Sequence, residues 1–169
     1  MNRTGGEHPL ADLGKTEAKL SRRALRRRTL WTGFLLGVGL IGTLDGTVVH
    51  ELLQWHRFYI DTTQFWQVFI DGVFHLGSAL LLFIGALLLW RQRRDLAHLR
   101  DGGAALGAGL LLGMGAFNLY DGTVQHKLLR LHPVRLNVEN QLPYDLTWNA
   151  VALLLLGLGW WLWRRGARA

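Results

Sequence analysis

The chain of 169 residues is half hydrophobic and contains eight tryptophans, yet it carries a formal charge of +7. Such a basic soluble protein would suggest nucleic-acid binding, but the charges bracket apolar runs instead of covering one face, so we expect no nucleic-acid partner. The absence of cysteine excludes disulfides, thiolate metal ligands and cysteine nucleophiles. Any bound metal would need histidine, carboxylate, amide or water ligands.

Four apolar runs follow a basic N-terminal segment. Residues 1–28 end in an arginine cluster and are expected to form a cytoplasmic tail, and residues 166–169 a cytoplasmic end. Each run is close to the ~20 residues that a helix needs to cross the hydrocarbon core, and helices satisfy the backbone there. The sequence therefore predicts an all-α, four-span integral membrane domain over residues 29–165. The runs cover residues 30–49, 65–90, 104–124 and 146–163.

Arginines lie mainly on one side of this predicted domain. They precede the first run, separate the second from the third and follow the fourth, whereas the other two connections carry fewer basic residues. The positive-inside rule then predicts that both termini and the middle connection are cytoplasmic. We expect a multi-pass protein of the cell inner (plasma) membrane, surrounded by the lipid bilayer.

A motif recurs at the ends of the first and third runs. Residues 37–56 align without a gap on residues 113–132, and both copies contain D-G-T-V-x-H-x-L-L-x-x-H. Such self-similarity predicts an internal duplication, with repeat one at about 30–90 and repeat two at about 104–163. Because both copies start in the cytoplasm, we predict parallel repeats and a pseudo-twofold four-helix bundle. The partner runs echo the repeat with Asp71 and His75 in the second, and Asp145 and Asn149 in the fourth.

Histidine and aspartate are concentrated in and beside the runs. An ionisable residue at a helix centre costs ~2.5–3.5 kcal/mol on insertion scales, so such residues usually face the protein interior. With a rise of ~1.5 Å per residue, those of neighbouring helices fall in one layer near the outer face. Imidazole and carboxylate suit Cu, Zn or Fe, and helix bundles commonly host such sites. The candidate ligands for a transition metal or a haem are His50, His56, His75, His126, His132, Asp45, Asp71 and Asp121.

One geometric condition limits this hypothesis. Asp45 and His56 share a face of a straight helix, but His50 points about 140° away from Asp45 at ~100° per residue. A break near Asp45 and Gly46 would re-aim His50. Since Asn149 stands where the first repeat has a histidine, and an amide is a weak ligand, we expect a single site that uses His75.

The same residues fit other functions. Asp/His pairs that hydrogen-bond across helices would only hold the bundle together. A small transporter or proton-conducting protein would use Asp45, Asp71, His75 and Asp121 as a relay. A membrane metalloenzyme would need an open coordination position and a substrate cleft. Glycines in small-xxx-small spacing on the first and third runs predict close helix packing.

The paired motifs resemble a family of predicted bacterial membrane proteins of unknown function, domain of unknown function 2243. The resemblance covers about residues 30–163 and implies a membrane protein without implying a mechanism. If it binds a metal or haem, we expect partners in a respiratory or metal-handling pathway of the same membrane. The matching residues are Asp45, Gly46, His50, Gln54, Trp55, His56, Asp71, His75, Asp121, Gly122, His126, Lys127 and His132.

Overall fold

The computed structural model describes residues 9–166, with side chains from residue 17 onward. Two of its helices change from α to π geometry near their ends. A loop follows each π segment and leads to the next helix. The elements are α1 (Pro9–Leu44), π1 (Asp45–Leu52), α2 (Gln64–Ala97), α3 (Gly102–Tyr120), π2 (Asp121–Leu128) and α4 (Leu142–Gly166).

Four helices are long and apolar enough to cross a membrane, which confirms the all-helical, four-span prediction. They extend beyond the apolar runs. Helix α1 already begins at Pro9, because the basic segment is rich in Ala, Leu, Lys and Arg, all strong helix formers. Helix α4 begins next to Pro143, whose fixed φ suits a first helical turn. Residues 1–8 of the predicted tail and 167–169 of the predicted end lie outside the described residues.

The four helices form a central pair with two flanking helices. Helices α1 and α3 pack along each other, α2 packs on α1, and α4 packs on α3. Within residues 9–166, the backbones of α2 and α4 make no contact with each other. Only 11% of the most apolar window of α2 and of α4 is buried, against 39% for the two central spans. The flanking helices therefore present most of their apolar surface to lipid.

Glycines allow the central helices to approach backbone to backbone. A Cβ atom on any of four glycines would lie 2.0 to 2.2 Å from a carbonyl oxygen of the partner helix. No side chain larger than hydrogen fits there without moving the helices apart, so the predicted small-residue packing is present. The glycine and carbonyl pairs are Gly33 with Leu106, Gly37 with Leu110, Gly109 with Leu30, and Gly113 with Phe34.

Candidate metal centre

Both central helices change from α to π geometry at the aspartate of the motif. In an α-helix, residues i and i+5 point about 140° apart, whereas i→i+5 hydrogen bonding brings them to the same side. Nε2 of His50 accordingly lies 3.3 Å from Oδ2 of Asp45, and Nε2 of His126 lies 3.0 Å from Oδ2 of Asp121. The change to π geometry at Asp45 is therefore the break in the α-helix that His50 needs in order to point toward Asp45.

A tight turn follows each π segment and carries the last histidine of the motif back over it. Gln54 and Arg130, at equivalent motif positions, have φ angles of 50° and 52°. Such left-handed conformations are uncommon for residues other than glycine. After these turns, the ring of His56 lies 4.7 Å from that of His50 between centroids, and the same distance separates His132 from His126.

The two connections hold these last histidines crosswise. Nδ1 of His56 donates to the carbonyl of Val134 at 2.7 Å, and Nδ1 of His132 donates to the carbonyl of Phe58 at 2.8 Å. Because a carbonyl only accepts, each ring carries its proton on Nδ1 and keeps a lone pair on Nε2. Histidines that bind metals commonly donate their other N–H to a backbone carbonyl. Sequence reasoning missed Val134 and Phe58, since they act through backbone oxygens that no side-chain pattern marks.

The four motif histidines form one buried cluster. His56 and His132 stack with 4.4 Å between ring centroids, and His56 and His126 lie 5.7 Å apart. Among the residues that the structure describes, no hydrogen-bond partner reaches Nε2 of His50, His56, His126 or His132. Buried polar atoms are normally partnered. The lone pairs on Nε2 of His56 and His132, with the carboxylates of Asp45 and Asp121 close by, form an arrangement that suits a bound cation.

In the part of the chain that the structure describes, two groups of three residues place their ligand atoms within 4.8 Å of one another. The first is His56, His126 and His132, and the second is Asp45, His50 and His56. Asp121 lies beside the first group, with its Oδ1 3.7 Å from Nε2 of His132. Since His56 has one free lone pair, the two groups compete for the same imidazole.

Asp71, expected as a ligand, lies beside these two groups. It hydrogen-bonds to the connection between π1 and α2. Its Oδ1 lies 3.2 Å from Nδ1 of His50 and accepts from the backbone N–H of Phe58 at 2.8 Å. Its Oδ2 accepts from Arg57 at 3.0 Å, and this hydrogen bond raises the pKa of the Arg57 guanidinium. Because the carbonyl of Phe58 holds His132, Asp71 positions a ring of the cluster without belonging to either group.

His75 also lies outside both groups. Its Nδ1 donates to the carbonyl of Asp71 at 2.6 Å, and its ring packs on Gly46, where a Cβ atom would lie 2.6 Å from Nε2. Asn149 takes the equivalent place against Gly122. The i, i+4 spacing thus turns His75 onto its own helix, and the geometry does not favour a site built on it.

The protonation state of His56 suits a metal ligand. Burial, followed by repulsion from His132, lowers the pKa of His56 to about 3. The imidazole is therefore neutral at physiological pH, the form in which histidine binds metals. The hydrogen bond to Val134 opposes this effect only in part.

A cleft leads from the protein surface to the cluster. It has a volume of about 400 Å³ and is lined by His126, Lys127, Arg130, His132 and Pro133. A metal site requires such an access route. The ammonium group of Lys127 pairs with Asp145, which offsets part of the positive charge at the mouth.

Among known proteins, neither a curated protein nor a solved structure matches the chain. A family model described as a predicted membrane protein, domain of unknown function 2243, matches residues 32–166. This range includes both copies of the motif and every residue of the histidine cluster. The chain therefore belongs to the DUF2243 family of predicted membrane proteins.

Proposed function

We propose that the protein binds one transition-metal ion on His56, His126 and His132, with Asp121 as the fourth ligand. The observation that carries the proposal is this buried triad, whose ligand atoms lie within 4.8 Å of one another. Three imidazoles with one oxygen ligand form a set that zinc, copper and iron accept. His50 and Asp45 lie beside the ion without binding it, because His56 belongs to both groups and is used by the ion.

A metal ion fits this cluster better than a haem. Neighbouring rings in the cluster lie 4.4 to 4.7 Å apart between centroids. A macrocycle needs a flat slot between its axial ligands and the walls of the pocket, and rings in mutual contact leave no such slot. The donor set therefore supports Cu, Zn or Fe without a porphyrin.

A proton relay is the second candidate, because His50 lies between two carboxylates. Its ring nitrogens are 3.3 Å from Asp45 and 3.2 Å from Asp71. A relay across the membrane would also have to cross the part of the central pair where Gly37 and Gly113 bring the backbones together. That packing favours metal binding over conduction. A network that only holds the helices together would partner every buried nitrogen, whereas within residues 17–166 Nε2 of His56 and Nε2 of His132 have no hydrogen-bond partner.

The proposal places the metal near the outer face of the cell inner membrane. Both termini and the connection between α2 and α3 are then cytoplasmic, as the arginine distribution favours. We further propose two parallel repeats. This is supported by hydrogen bonds at equivalent positions, from Ile60 N–H to the carbonyl of Leu131 and from Leu136 N–H to the carbonyl of Trp55. A site on this side would serve respiratory or metal-handling partners in the same membrane.

Elemental analysis of detergent-purified protein, before and after incubation with Zn²⁺, Cu²⁺ or Fe²⁺, tests the proposal. We expect about one ion per chain in the wild type and none in a His126→Ala, His132→Ala double variant. His98→Ala is the matched control, since His98 lies at the opposite end of the protein beside Arg100 and Asp101. Wild-type protein that stays metal-free under every condition would exclude the proposal.

A further inference from the structure

A groove separates the first central helix from the last flanking helix. Its volume is about 610 Å³, within the ~300–1,000 Å³ typical of small-molecule sites. Leu44, Val48 and Val151 line it and are exposed on spanning helices, so the groove opens sideways to the bilayer. The lining residues are Ile41, Leu44, Asp45, Val48, Val49, Trp55, Asn118, Val134, Pro143, Tyr144, Thr147, Trp148 and Val151.

Three polar side chains contribute unpartnered atoms to this otherwise apolar groove. Asp45 and Asn118 are each only 5% exposed. Within the described part of the chain, Oδ1 of Asp45, Oδ1 of Asn118 and Nε1 of Trp148 are buried and have no hydrogen-bond partner. Each such atom costs ~1–3 kcal/mol when it is left unsatisfied, and the hydrocarbon core supplies no water for it. The residues that line the groove thus carry two acceptors and one donor that a ligand with both kinds of group can satisfy.

We infer that the groove binds a neutral lipid with a hydroxyl head group. A hydroxyl donates one hydrogen bond and accepts others, so it can accept from Trp148 and donate to Asp45 or Asn118. The carboxylate of Asp45 disfavours an anionic head, and the indole N–H of Trp148 requires an acceptor, which an ammonium head lacks. Long-chain alcohols and quinols share this chemistry, and their apolar part would lie along Val151.

Aromatic side chains occupy the corresponding place of the second repeat. There, Phe117 of α3 stacks on Phe74 of α2 with 6.1 Å between ring centroids, and these rings fill the gap between the helices. Ile41 occupies the motif position of Phe117 in the first repeat, and its smaller side chain leaves the groove open. The opening thus comes from specific residues of the chain, not from a general looseness of the bundle.

Photo-crosslinking in phosphatidylcholine nanodiscs tests the inference. The probes are a long-chain alcohol with a diazirine in its chain and the methyl ether of the same alcohol, which cannot donate. We expect the alcohol to label peptides of α1 and α4 around Ile41 and Val151 about tenfold more than the ether, since one hydrogen bond contributes ~0.5–1.5 kcal/mol or more beside a charge. Equal labelling by both probes, or labelling spread over the exposed faces of α2 and α4, would show only annular lipid and overturn the inference.

Matched variants locate the binding. Val151→Trp should fill the groove and abolish preferential labelling, whereas Val73→Trp, at an exposed valine of α2 outside the groove, should leave it unchanged. Trp148→Phe keeps a ring but removes the donor, and should lower labelling by the alcohol about tenfold. Retained labelling in Val151→Trp would contradict the assignment. Competition with an unlabelled alcohol and with an unlabelled quinol then separates the two sources, and competition by neither would also overturn it.

The groove and the metal site can be judged separately. The groove residues Trp148 and Val151 belong to neither ligand group, and the crosslinking is performed on metal-free and on metal-loaded protein. The metal-to-chain ratio of Val151→Trp should equal that of the wild type. Lipid binding without metal uptake would therefore refute only the metal proposal, and metal uptake without selective labelling would refute only the groove.

Discussion

The two copies of the motif have nearly the same backbone but different surroundings at the middle histidine. His50 lies between the carboxylates of Asp45 and Asp71. Among the described residues, His126 has a carboxylate near one nitrogen only, where its Nε2 lies 3.0 Å from Asp121. The recurring motif thus contains one histidine with a carboxylate on both sides and one with a carboxylate on a single side.

The flanking helices cause this difference. Asp71 of α2 reaches His50 and the backbone of Phe58, whereas the equivalent Asp145 of α4 is engaged by Lys127. The motif alone therefore does not determine the surroundings of each middle histidine, because the flanking helix differs. In the proposed metal site, His126 and His132 of the second copy join His56 of the first.

The largest expected difference between the two copies appears when the middle histidine of each is removed. His126→Ala should weaken metal binding more than about 100-fold, beyond the ~10–100-fold typical of changes outside the ligand shell. His50→Ala should remain within about tenfold of the wild type, because His50 is outside the proposed ligand set and, among the described residues, makes no hydrogen bond to a ligand histidine. Titration against a competing chelator measures both. Equal losses in the two variants would mean that the copies share the metal evenly.

The carboxylates of the flanking helices give the next largest contrast. Asp71→Ala should weaken metal binding by roughly 10–100-fold, because it releases Phe58, whose carbonyl holds His132. Asp145→Ala is the matched control and should have a smaller effect. The same titration applies, with size-exclusion chromatography to verify folding. A larger loss in Asp145→Ala would show that the second connection, not the first, positions the ligands.

The central glycines should behave alike in both copies. A Cβ atom at Gly37 or Gly113 would lie 2.1 or 2.2 Å from a carbonyl oxygen of the partner helix. Substitution by alanine at either position should lower the free energy of unfolding by ~1–3 kcal/mol, as overpacking does. Gly157→Ala, where a Cβ atom meets nothing within 4 Å, is the control. Thermal unfolding in detergent is the measurement, and unaltered stability in both central variants would contradict the backbone contact.

The smallest effect on metal affinity is expected at His75 of α2 and Asn149 of α4, which occupy equivalent positions. His75→Ala and Asn149→Ala should both leave metal affinity close to the wild-type value, because neither side chain belongs to a ligand group. Their side chains pack on Gly46 and Gly122 instead. A strong loss of metal in His75→Ala alone would return His75 to the ligand set and support the expectation drawn from the sequence.

Much of the fold was accessible from the sequence because the membrane leaves few choices. Apolar runs of the right length must become helices, and glycines in small-xxx-small spacing predicted close helix packing, although not that α1 and α3 are the partners. The predicted runs were shorter than the helices, since hydropathy does not register helical residues that leave the hydrocarbon core. The sequence pattern also did not show which helices form the central pair, because apolar runs do not specify their packing partners.

The site was predicted in composition but not in detail. The motif placed the histidines at one level, and the i, i+5 spacing of Asp45 and His50 indicated that a regular α-helix could not serve. The crossed hydrogen bonds to Val134 and Phe58 involve backbone atoms brought together by two separate connections. No side-chain spacing encodes these contacts, which hold His56 and His132 in the cluster.

The extended X-ray absorption fine structure of the metal bound to the wild-type protein tests the central claim most directly. We predict three imidazoles and one oxygen ligand around the metal, with His56, His126 and His132 as the rings, and fewer imidazoles in the His126→Ala variant. A spectrum with fewer than three imidazoles in the wild type, or an unchanged number of imidazoles in His126→Ala, would contradict the claim.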